Sequence, residues 1–200
     1  MIIIKGLPST ILLLAKVILL QLFITPSAFS DAAAFDANGQ LVRPTGYREW
    51  IYIGAPLTPN DMNNGKAAFP EFHNVYIDPT SWDHWKTTGE FRDGTLIIKE
   101  LVSVGTKLSF SGNGYFMGDY IGLEALVKDS SRFPKSAGHW GFFRFTTDDH
   151  EKLLTSSKVM PAEACAVCHQ ANAAQDSVFT QHYPVLRAAK GNGEEGTGGK

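Results

Sequence analysis

The residues best suited to chemistry form one short motif near the end of the chain. Cys165 and Cys168 are separated by two residues, and His169 follows directly. This C-x-x-C-H sequence is typical of covalent attachment of a c-type haem. On a helical turn, two cysteines three residues apart project to the same side and can reach both vinyl groups of one porphyrin. The motif therefore predicts one covalently attached haem c, with His169 as the proximal iron ligand.

Two other uses of a C-x-x-C sequence fit this chain less well. A redox-active disulfide of that kind normally lies at the start of a helix that follows a strand in a βαβ unit, and the sequence lacks such a unit. A structural zinc site needs about four ligands, whereas the chain has only these two cysteines. The same cysteine count excludes a disulfide-rich secreted scaffold.

The sixth coordination position of the iron is not determined by the motif. An electron-transfer cytochrome would commonly fill it with methionine or histidine. The candidates outside the motif and the N-terminal segment are Met62, Met117, Met160, His73, His84, His139, His150 and His182. None of them has a distinguishing sequence context, so a six-coordinate electron carrier and an enzyme with an open iron both remain as hypotheses.

One predicted strand, residues 95–104, carries two adjacent charges among apolar residues. Alternation places Lys99 on one face with Ile97 and Leu101, and it places Glu100 on the other face. Whichever face is buried, one ionisable group is buried with it. Burial favours loss of the lysine proton and makes the amine nucleophilic. The alternative is a solvent-exposed Lys99 at a sheet edge, which is the commoner arrangement for lysine.

A second predicted strand, residues 115–128, carries a carboxylate that could act as a base. Alternation places Glu124 on the same face as Gly118 and Gly122. Two glycines on one face would leave room for a flat group close to the backbone. A carboxylate at the end of that space would suit a general base beside a haem. A surface glutamate opposite the basic residues of segment 128–132 fits the same spacing.

The elements that must position these residues are mostly strands. Asp78 is a good N-cap and Pro79 a good first helical residue, which predicts a short helix over residues 79–87. The remaining predictions are strands over 74–77, 95–104, 115–128 and 138–146 and helices over 162–174 and 178–189, the last restarted at Pro184. The predicted fold class is α+β, mainly β: an antiparallel β-sheet with short helices and a C-terminal helical haem-attachment segment.

The N-terminal segment, residues 1–30, has the features of a secretory signal peptide. Lys5 supplies a positive charge, residues 11–24 are almost continuously apolar, and small residues at positions 28 and 30 fit cleavage after Ser30. An uncleaved membrane anchor is the alternative, but the apolar run is shorter than the roughly 20 residues of a membrane span. The sequence therefore predicts export to the periplasm, with no membrane segment after cleavage.

The chain after the predicted cleavage site is long enough for one domain with a proper core. We assign residues 31–42 to a flexible leader, 43–189 to a single haem-binding cytochrome domain, and the glycine-rich residues 190–200 to a disordered tail. Without the two lysines of the N-terminal segment, 16 basic residues stand against 20 acidic ones, a net charge of −4. This balance argues against nucleic-acid binding and suits an encounter with a basic electron carrier.

Several short blocks, in order along the chain, resemble the cytochrome P460 family of lysine-cross-linked c-type haem enzymes. The resemblance covers residues 47–189. The blocks are YREW at 47–50, VYIDP at 75–79, GEFRDG at 89–94, KELVSVG at 99–105, GNGYFMG at 112–118, GLEA at 122–125, CAVCH at 165–169, FT at 179–180 and YPVLR at 183–187. Their number and order make the resemblance far more specific than the C-x-x-C-H motif alone.

The resemblance implies a β-rich, usually dimeric fold with a five-coordinate haem, ligated by His169 and open to substrate on the other side. Lys99 matches the lysine that forms an additional covalent bond to the porphyrin in this family. Glu124 matches the glutamate that accepts protons near the distal face. The implied activity is oxidation of hydroxylamine, with nitrous oxide as a product, nitric oxide as a related ligand and a soluble c-type cytochrome as electron acceptor.

Two alternatives to that activity come from related or different classes. Cytochrome c′-beta shares the fold but lacks the cross-link, and it binds nitric oxide without turning over hydroxylamine. A six-coordinate electron-transfer cytochrome would give a low-spin spectrum. The presence of both Lys99 and Glu124 favours the enzyme, although a lysine can be present without being cross-linked.

Overall fold

A five-stranded antiparallel sheet is the main element of the part of the chain that the structure, a computed structural model, describes: residues 33–147, 149 and 152–190. Its strands are β2 (Ile51–Gly54), β3 (Phe72–Ile77), β4 (Leu96–Val104), β5 (Met117–Lys128) and β6 (Trp140–Arg144). The spatial order β2-β3-β4-β5-β6 follows the chain order, so each strand pairs with the next in an antiparallel meander. Two short strands, β1 (Leu41–Val42) and β7 (Ser156–Ser157), form a second sheet.

Short helices complete the described structure, and the predicted α+β, mainly β class is confirmed. The α-helices are α1 (Pro79–Thr88), α2 (Ala166–Asn172) and α3 (Pro184–Ala189), and single 3-10 turns lie at Tyr47–Glu49, Asn60–Asn63, Ala137–His139 and Thr180–His182. Helix α2 is shorter than the predicted 162–174, because Cys165 has a non-helical backbone and Ala173 is extended. Helix α3 begins at Pro184, as predicted.

Helix α1 begins where the sequence predicts, and its N-cap also contacts the central strand. One carboxylate oxygen of Asp78 accepts a hydrogen bond from the Ser81 N–H, and the other accepts one from the Leu96 N–H, both at 2.9 Å. Gly89 ends the helix with a left-handed backbone (φ 71°). A single buried carboxylate therefore fixes both the start of α1 and the start of β4, the strand that carries Lys99.

Each face of the five-stranded sheet packs against a hydrophobic core. On one face the first core packs Ile97, Leu126 and Phe142 against tryptophans of α1 and Leu186 of α3. On the other face the second core contains Leu96, Ile98, Leu123, Ala125, Val127, Phe143, Phe145, Leu41 and Tyr47. Because β4 is the middle strand, Lys99 does not lie at a sheet edge.

The prediction that residues 31–42 form a flexible leader is wrong for residues 33–42, the part that the structure describes. Leu41 is fully buried and pairs with Ser157, and the Phe35 ring packs edge-on against Phe143. Full burial of Leu41 and partial burial of Phe35 offset the entropy lost when the segment is ordered. Packed structure therefore begins before residue 43.

The N-terminal and C-terminal predictions fall largely outside the described residues. The signal peptide predicted over 1–30 lies there entirely, as does the tail predicted over 190–200 apart from Lys190. Within the described part of the chain, no helix has both the length and the apolar composition needed to cross a bilayer.

Candidate haem-binding site

Three charged side chains lie in one line across the sheet, on the face of the first core. Lys99 pairs directly with Glu124 between β4 and β5, and Glu124 pairs with Arg144 between β5 and β6. Directly opposite residues of antiparallel strands project to the same face. The Lys99 Nζ and Glu124 Oε2 atoms are 2.5 Å apart, and their side chains are about one-fifth exposed. The two residues expected at the site are therefore in contact.

The surface interpretation of Glu124 does not agree with this geometry. The basic residues of segment 128–132 have other acidic partners: Lys128 contacts Asp176, and Arg132 contacts Asp129. The Phe69 ring lies 5.1 Å from Lys99 Nζ and so lines the same side of the pair. Glu124 is therefore a half-buried member of the charged row, and it is not a surface glutamate that pairs with the basic residues of segment 128–132.

The predicted open space above Gly118 and Gly122 is absent from the described structure. A Cβ at Gly122 would lie 2.6 Å from Thr146 Oγ1, and a Cβ at Gly118 would lie 2.6 Å from Ser103 Oγ. The pairing of β4 with β5 also shifts register between Leu101 and Val102. A bulge of this kind re-aims the following side chains. A side chain at either position would collide with a neighbouring hydroxyl group, which is why both residues are glycine. The prediction that the two glycines leave room for a flat group was therefore wrong.

The attachment motif packs against the first core, on the sheet face that carries the charged row. Cys165 is half-buried against the first core, Cys168 is exposed, and both are free thiols in the described chain. Burial raises the pKa of the Cys165 thiol, as does the charge of Glu124, whereas Lys99 and Arg144 act in the opposite direction. Cys165 thus packs against the core on the sheet face that carries the charged row, and its thiol interacts electrostatically with that row.

His169 is held in the tautomer that an iron ligand requires. Its Nδ1 donates a hydrogen bond to the Ser177 carbonyl at 2.8 Å, which leaves Nε2 as the ligating nitrogen. The rings of Phe142 and Phe179 contact the imidazole edge-on, at 4.6 and 4.7 Å between centroids. Burial lowers the pKa of His169, with a smaller contribution from Lys99, so the imidazole is neutral near pH 7.

Of the three methionines among the candidate sixth ligands, only Met160 packs against the core that Cys165 contacts, within the described structure. Met62 is largely exposed, and the Met117 sulfur accepts a hydrogen bond from Asn74 Nδ2 at 3.7 Å. Asn74 also bonds Glu100, which lies on the opposite face of the sheet from Lys99. Met160 packs against the first core beside the attachment segment.

His73 is the described histidine that lies on the same sheet face as Lys99, two positions further along the strand pairing. It pairs with Leu101, its ring is 6.0 Å from that of Phe69, and its Nε2 lies 3.6 Å from Glu71 Oε1. The Nε2 atom is buried without a hydrogen-bond partner in the described structure. Sequence reasoning could not distinguish His73 from the other histidines, because strand register alone sets its place.

The donor set fits a covalently attached haem. Two free thiols and an imidazole with a committed Nδ1 project from one short segment, and aromatic edges flank the imidazole. The sheet face against which this segment packs also carries one cation and one carboxylate in contact. Cys165 and Cys168 would form the thioether bonds, and His169 would ligate the iron.

The family comparison agrees with this geometry. The family model described as Cytochrome P460 matches residues 44–180, more than half of the chain, and the match includes Lys99, Glu124 and the C-x-x-C-H motif. The chain belongs to the cytochrome P460 family. Membership implies a covalently bound c-type haem and a haem oxidoreductase. No curated protein matches the chain.

Proposed function

We propose that this member of the cytochrome P460 family oxidises hydroxylamine, with nitrous oxide as a product, at a five-coordinate haem c. The observation that carries the proposal is the 2.5 Å contact between Lys99 and Glu124, on the sheet face that shares its electrostatic environment with Cys165. An electron carrier requires neither residue, whereas the proposed activity uses both.

Two hydroxylamine molecules give one nitrous oxide and one water, and four electrons and four protons leave. The bound haem supplies the iron at which the electrons are taken up and passed on. Glu124 accepts protons as the electrons depart, which prevents charge from accumulating in a half-buried site. Lys99 contacts Glu124 and therefore fixes the position of the carboxylate. His169, with its Nδ1 proton donated to Ser177, holds the proximal side.

We further propose that Lys99 forms a third covalent bond to the porphyrin. An amine beside a carboxylate has an acceptor for the proton that it must lose before it can act as a nucleophile. The new C–N bond replaces one N–H and one porphyrin C–H bond, so two protons and two electrons leave, and the step requires a two-electron oxidant such as a peroxide. A third tether would fix and distort the macrocycle, which is one of the means by which a protein tunes haem reactivity. Without the tether, the same contact is an ordinary ion pair, as expected of a nitric oxide binding protein similar to cytochrome c′-beta.

Mass spectrometry of the purified haem protein after proteolysis tests the cross-link. We expect the haem to join the Cys165–Cys168 peptide to the Lys99 peptide, and we expect Lys99→Arg to abolish the second attachment, since a guanidinium is not nucleophilic but retains the charge beside Glu124. Lys66→Arg, at an exposed lysine, is the matched control. Haem on the cysteine peptide alone in the wild type, with nitric oxide binding and no hydroxylamine turnover, would establish the cytochrome c′-beta-like alternative.

The six-coordinate carrier remains the second alternative because of one observation: within the described residues, His73 Nε2, on the Lys99 face, is buried without a hydrogen bond and lies 3.6 Å from Glu71 Oε1. It predicts a low-spin ferric spectrum that becomes high-spin in His73→Ala. Our proposal predicts a high-spin ferric spectrum in the wild type and in that variant. Electronic and electron paramagnetic resonance spectra of the two proteins distinguish these outcomes.

We also propose the setting in which the protein works. The segment 1–30 supports export to the periplasm, and a cleaved N-terminus at residue 31 in the isolated protein would test it. The acidic net charge supports a basic, soluble c-type cytochrome as electron acceptor. If the rate at which hydroxylamine reduces that cytochrome through this protein did not fall with increasing salt, the electrostatic encounter would be contradicted.

We also propose a homodimer, supported by the exposed side chains of Tyr52, Met117 and Tyr120. A monomer in analytical ultracentrifugation would exclude it.

A further inference from the structure

The loop that follows α2 supplies the hydrogen-bond acceptor for His169 and has an unusual backbone. Asp176 and Ser177 are consecutive non-glycine residues with positive φ, 47° and 58°. A left-handed backbone costs conformational free energy in a non-glycine residue, so contacts with the surrounding structure must hold these two residues in it. This backbone conformation directs the Ser177 carbonyl toward His169, and its oxygen lies 2.8 Å from His169 Nδ1.

One lysine of the sheet holds the strained loop. Lys128, the last residue of β5, donates hydrogen bonds to Asp176 Oδ2 at 2.8 Å and to the Gly138 carbonyl at 2.7 Å. Its side chain is only 14 % exposed, and its Nζ lies 5.4 Å from the centre of the Trp140 ring. The Lys128 ammonium is nearly buried and donates two hydrogen bonds. Its contact with Asp176 is therefore better ordered than that of a solvated surface ion pair.

A second, neutral contact fixes the other side of the loop. Gln175 Nε2 donates to the Gly89 carbonyl at the end of α1, at 2.8 Å. The backbones of Gln175 and Val178 bond each other across the loop, so the two strained residues lie within a closed turn. Gln175 Oε1 also accepts a hydrogen bond from Lys190 Nζ at 2.7 Å, on the exposed side of the loop. Asp176 instead pairs with Lys128, a nearly buried cation at the end of a sheet strand. Lys128 and Asp176 therefore determine where the Ser177 carbonyl points.

We propose that Lys128 and Asp176 are positioning residues that hold the Ser177 carbonyl on His169 and so set the electron donation of the proximal ligand. A hydrogen bond from Nδ1–H to a carbonyl makes Nε2 a stronger donor, which stabilises ferric over ferrous iron. Loss of the ion pair frees the loop, weakens that hydrogen bond and raises the reduction potential. The inference rests on His169 as the iron ligand, and it does not depend on the identity of the substrate.

The sign of the change separates this role from a direct charge effect. Lys128→Met removes a positive charge, which by itself would lower the reduction potential of a nearby iron, whereas Asp176→Ala removes a negative charge and would raise it. Loosening of the Ser177 carbonyl raises the potential in both variants. A rise in Lys128→Met is therefore the result that a field effect cannot produce.

The test is spectroelectrochemical titration of the holoprotein together with resonance Raman spectroscopy of the ferrous form. We expect Lys128→Met and Asp176→Ala each to shift the ferric–ferrous equilibrium about tenfold toward ferrous, or about 59 mV for one electron, and to lower the iron–histidine stretching frequency. Lys128→Arg should retain the wild-type values. Asp176→Asn, which suits a left-handed backbone and keeps an acceptor, should lie between the wild type and Asp176→Ala.

The control removes an ion pair of similar length away from the motif. Lys86 and Asp83 are 2.9 Å apart on α1, and Asp83→Asn should leave both the potential and the stretching frequency unchanged. A fall in potential for Lys128→Met, or an unchanged iron–histidine frequency in both variants, would overturn the proposal. Neither measurement uses hydroxylamine, so a protein that fails to oxidise it still gives a decisive result.

Discussion

Glu124→Gln is expected to lower the turnover of hydroxylamine by about 10²- to 10⁴-fold while the variant still binds hydroxylamine. Glutamine has nearly the same shape as glutamate and can still accept a hydrogen bond from Lys99, but it cannot take up a proton at neutral pH. The effect therefore falls on the rate of the proton-coupled step. Steady-state oxidation with a c-type cytochrome as acceptor measures the turnover, and spectral titration measures binding.

The same substitution removes the carboxylate partner of Lys99, so two controls are needed. Peptide mass spectrometry of Glu124→Gln shows whether the second haem attachment still forms, which separates a lost base from a lost cross-link. Glu90→Gln, at an exposed glutamate, controls for the loss of one negative charge. If Glu124→Gln turns over at the wild-type rate with its cross-link intact, Glu124 is not the base.

Local sequence signals predicted the elements near α1 well. The pair Asp78-Pro79 is both an N-cap and a first-turn proline, and the structure confirms a helix that begins at Pro79. The apolar, β-branched run of β4 was equally informative, because its strand begins within one residue of the prediction. These signals are local, so one sequence is enough to interpret them.

The adjacent charges of β4 show that strand alternation predicts the face of each side chain but not its partners. The sequence required that one ionisable residue be buried, and the structure buries Glu100 fully while it half-buries Lys99 on the other face. Glu100 accepts a hydrogen bond from the Tyr47 hydroxyl at 2.9 Å and contacts Arg48. Burial and that hydrogen bond raise the pKa of Tyr47, so its hydroxyl stays a donor to Glu100. The partners come from a distant segment, which alternation cannot identify.

The face assignment of β5 failed where its register shifts. Strict alternation would place Tyr120 with Glu124, but Tyr120 pairs with Val102 and lies 5.4 Å from the guanidinium of Arg48, on the second-core face. One extra residue in a strand inverts the faces of everything beyond it. Nothing in the sequence marked the site of the bulge, so the glycines were interpreted for the wrong surroundings.

The remaining parts of the site differ in how far the sequence could have revealed them. Arg144 could have been found, since it alternates with Phe142 in a strand that was predicted. The Ser177 carbonyl could not, because a backbone acceptor carries no side-chain signal. The ion pair of Lys128 with Asp176 spans 48 residues of sequence, and either residue alone resembles an ordinary surface charge.

Trp85→Ala is expected to lower the free energy of unfolding by about 3–5 kcal/mol, the largest change in stability that we predict. Trp85 is fully buried in the first core, and its ring packs 4.5 Å from that of Phe91. Its Nε1 donates to the Leu186 carbonyl at 2.8 Å, which joins α1 to α3. The substitution thus creates a large cavity and leaves a buried carbonyl unpaired, a loss comparable with much of the stability of a typical domain.

Denaturant titration of the holoprotein, followed by tryptophan fluorescence and by haem absorbance, measures this change. Trp85→Phe retains a six-membered ring in the core, loses the hydrogen bond and leaves a smaller cavity, so its cost should be about 1–3 kcal/mol. Leu108→Ala, at a residue that is 72 % exposed, should change stability by less than about 0.5 kcal/mol. Because the first core also packs against Cys165 and Ala166, the two probes should shift together in Trp85→Ala. A haem transition that stayed at its wild-type midpoint would show that the attachment segment is stabilised independently of this core.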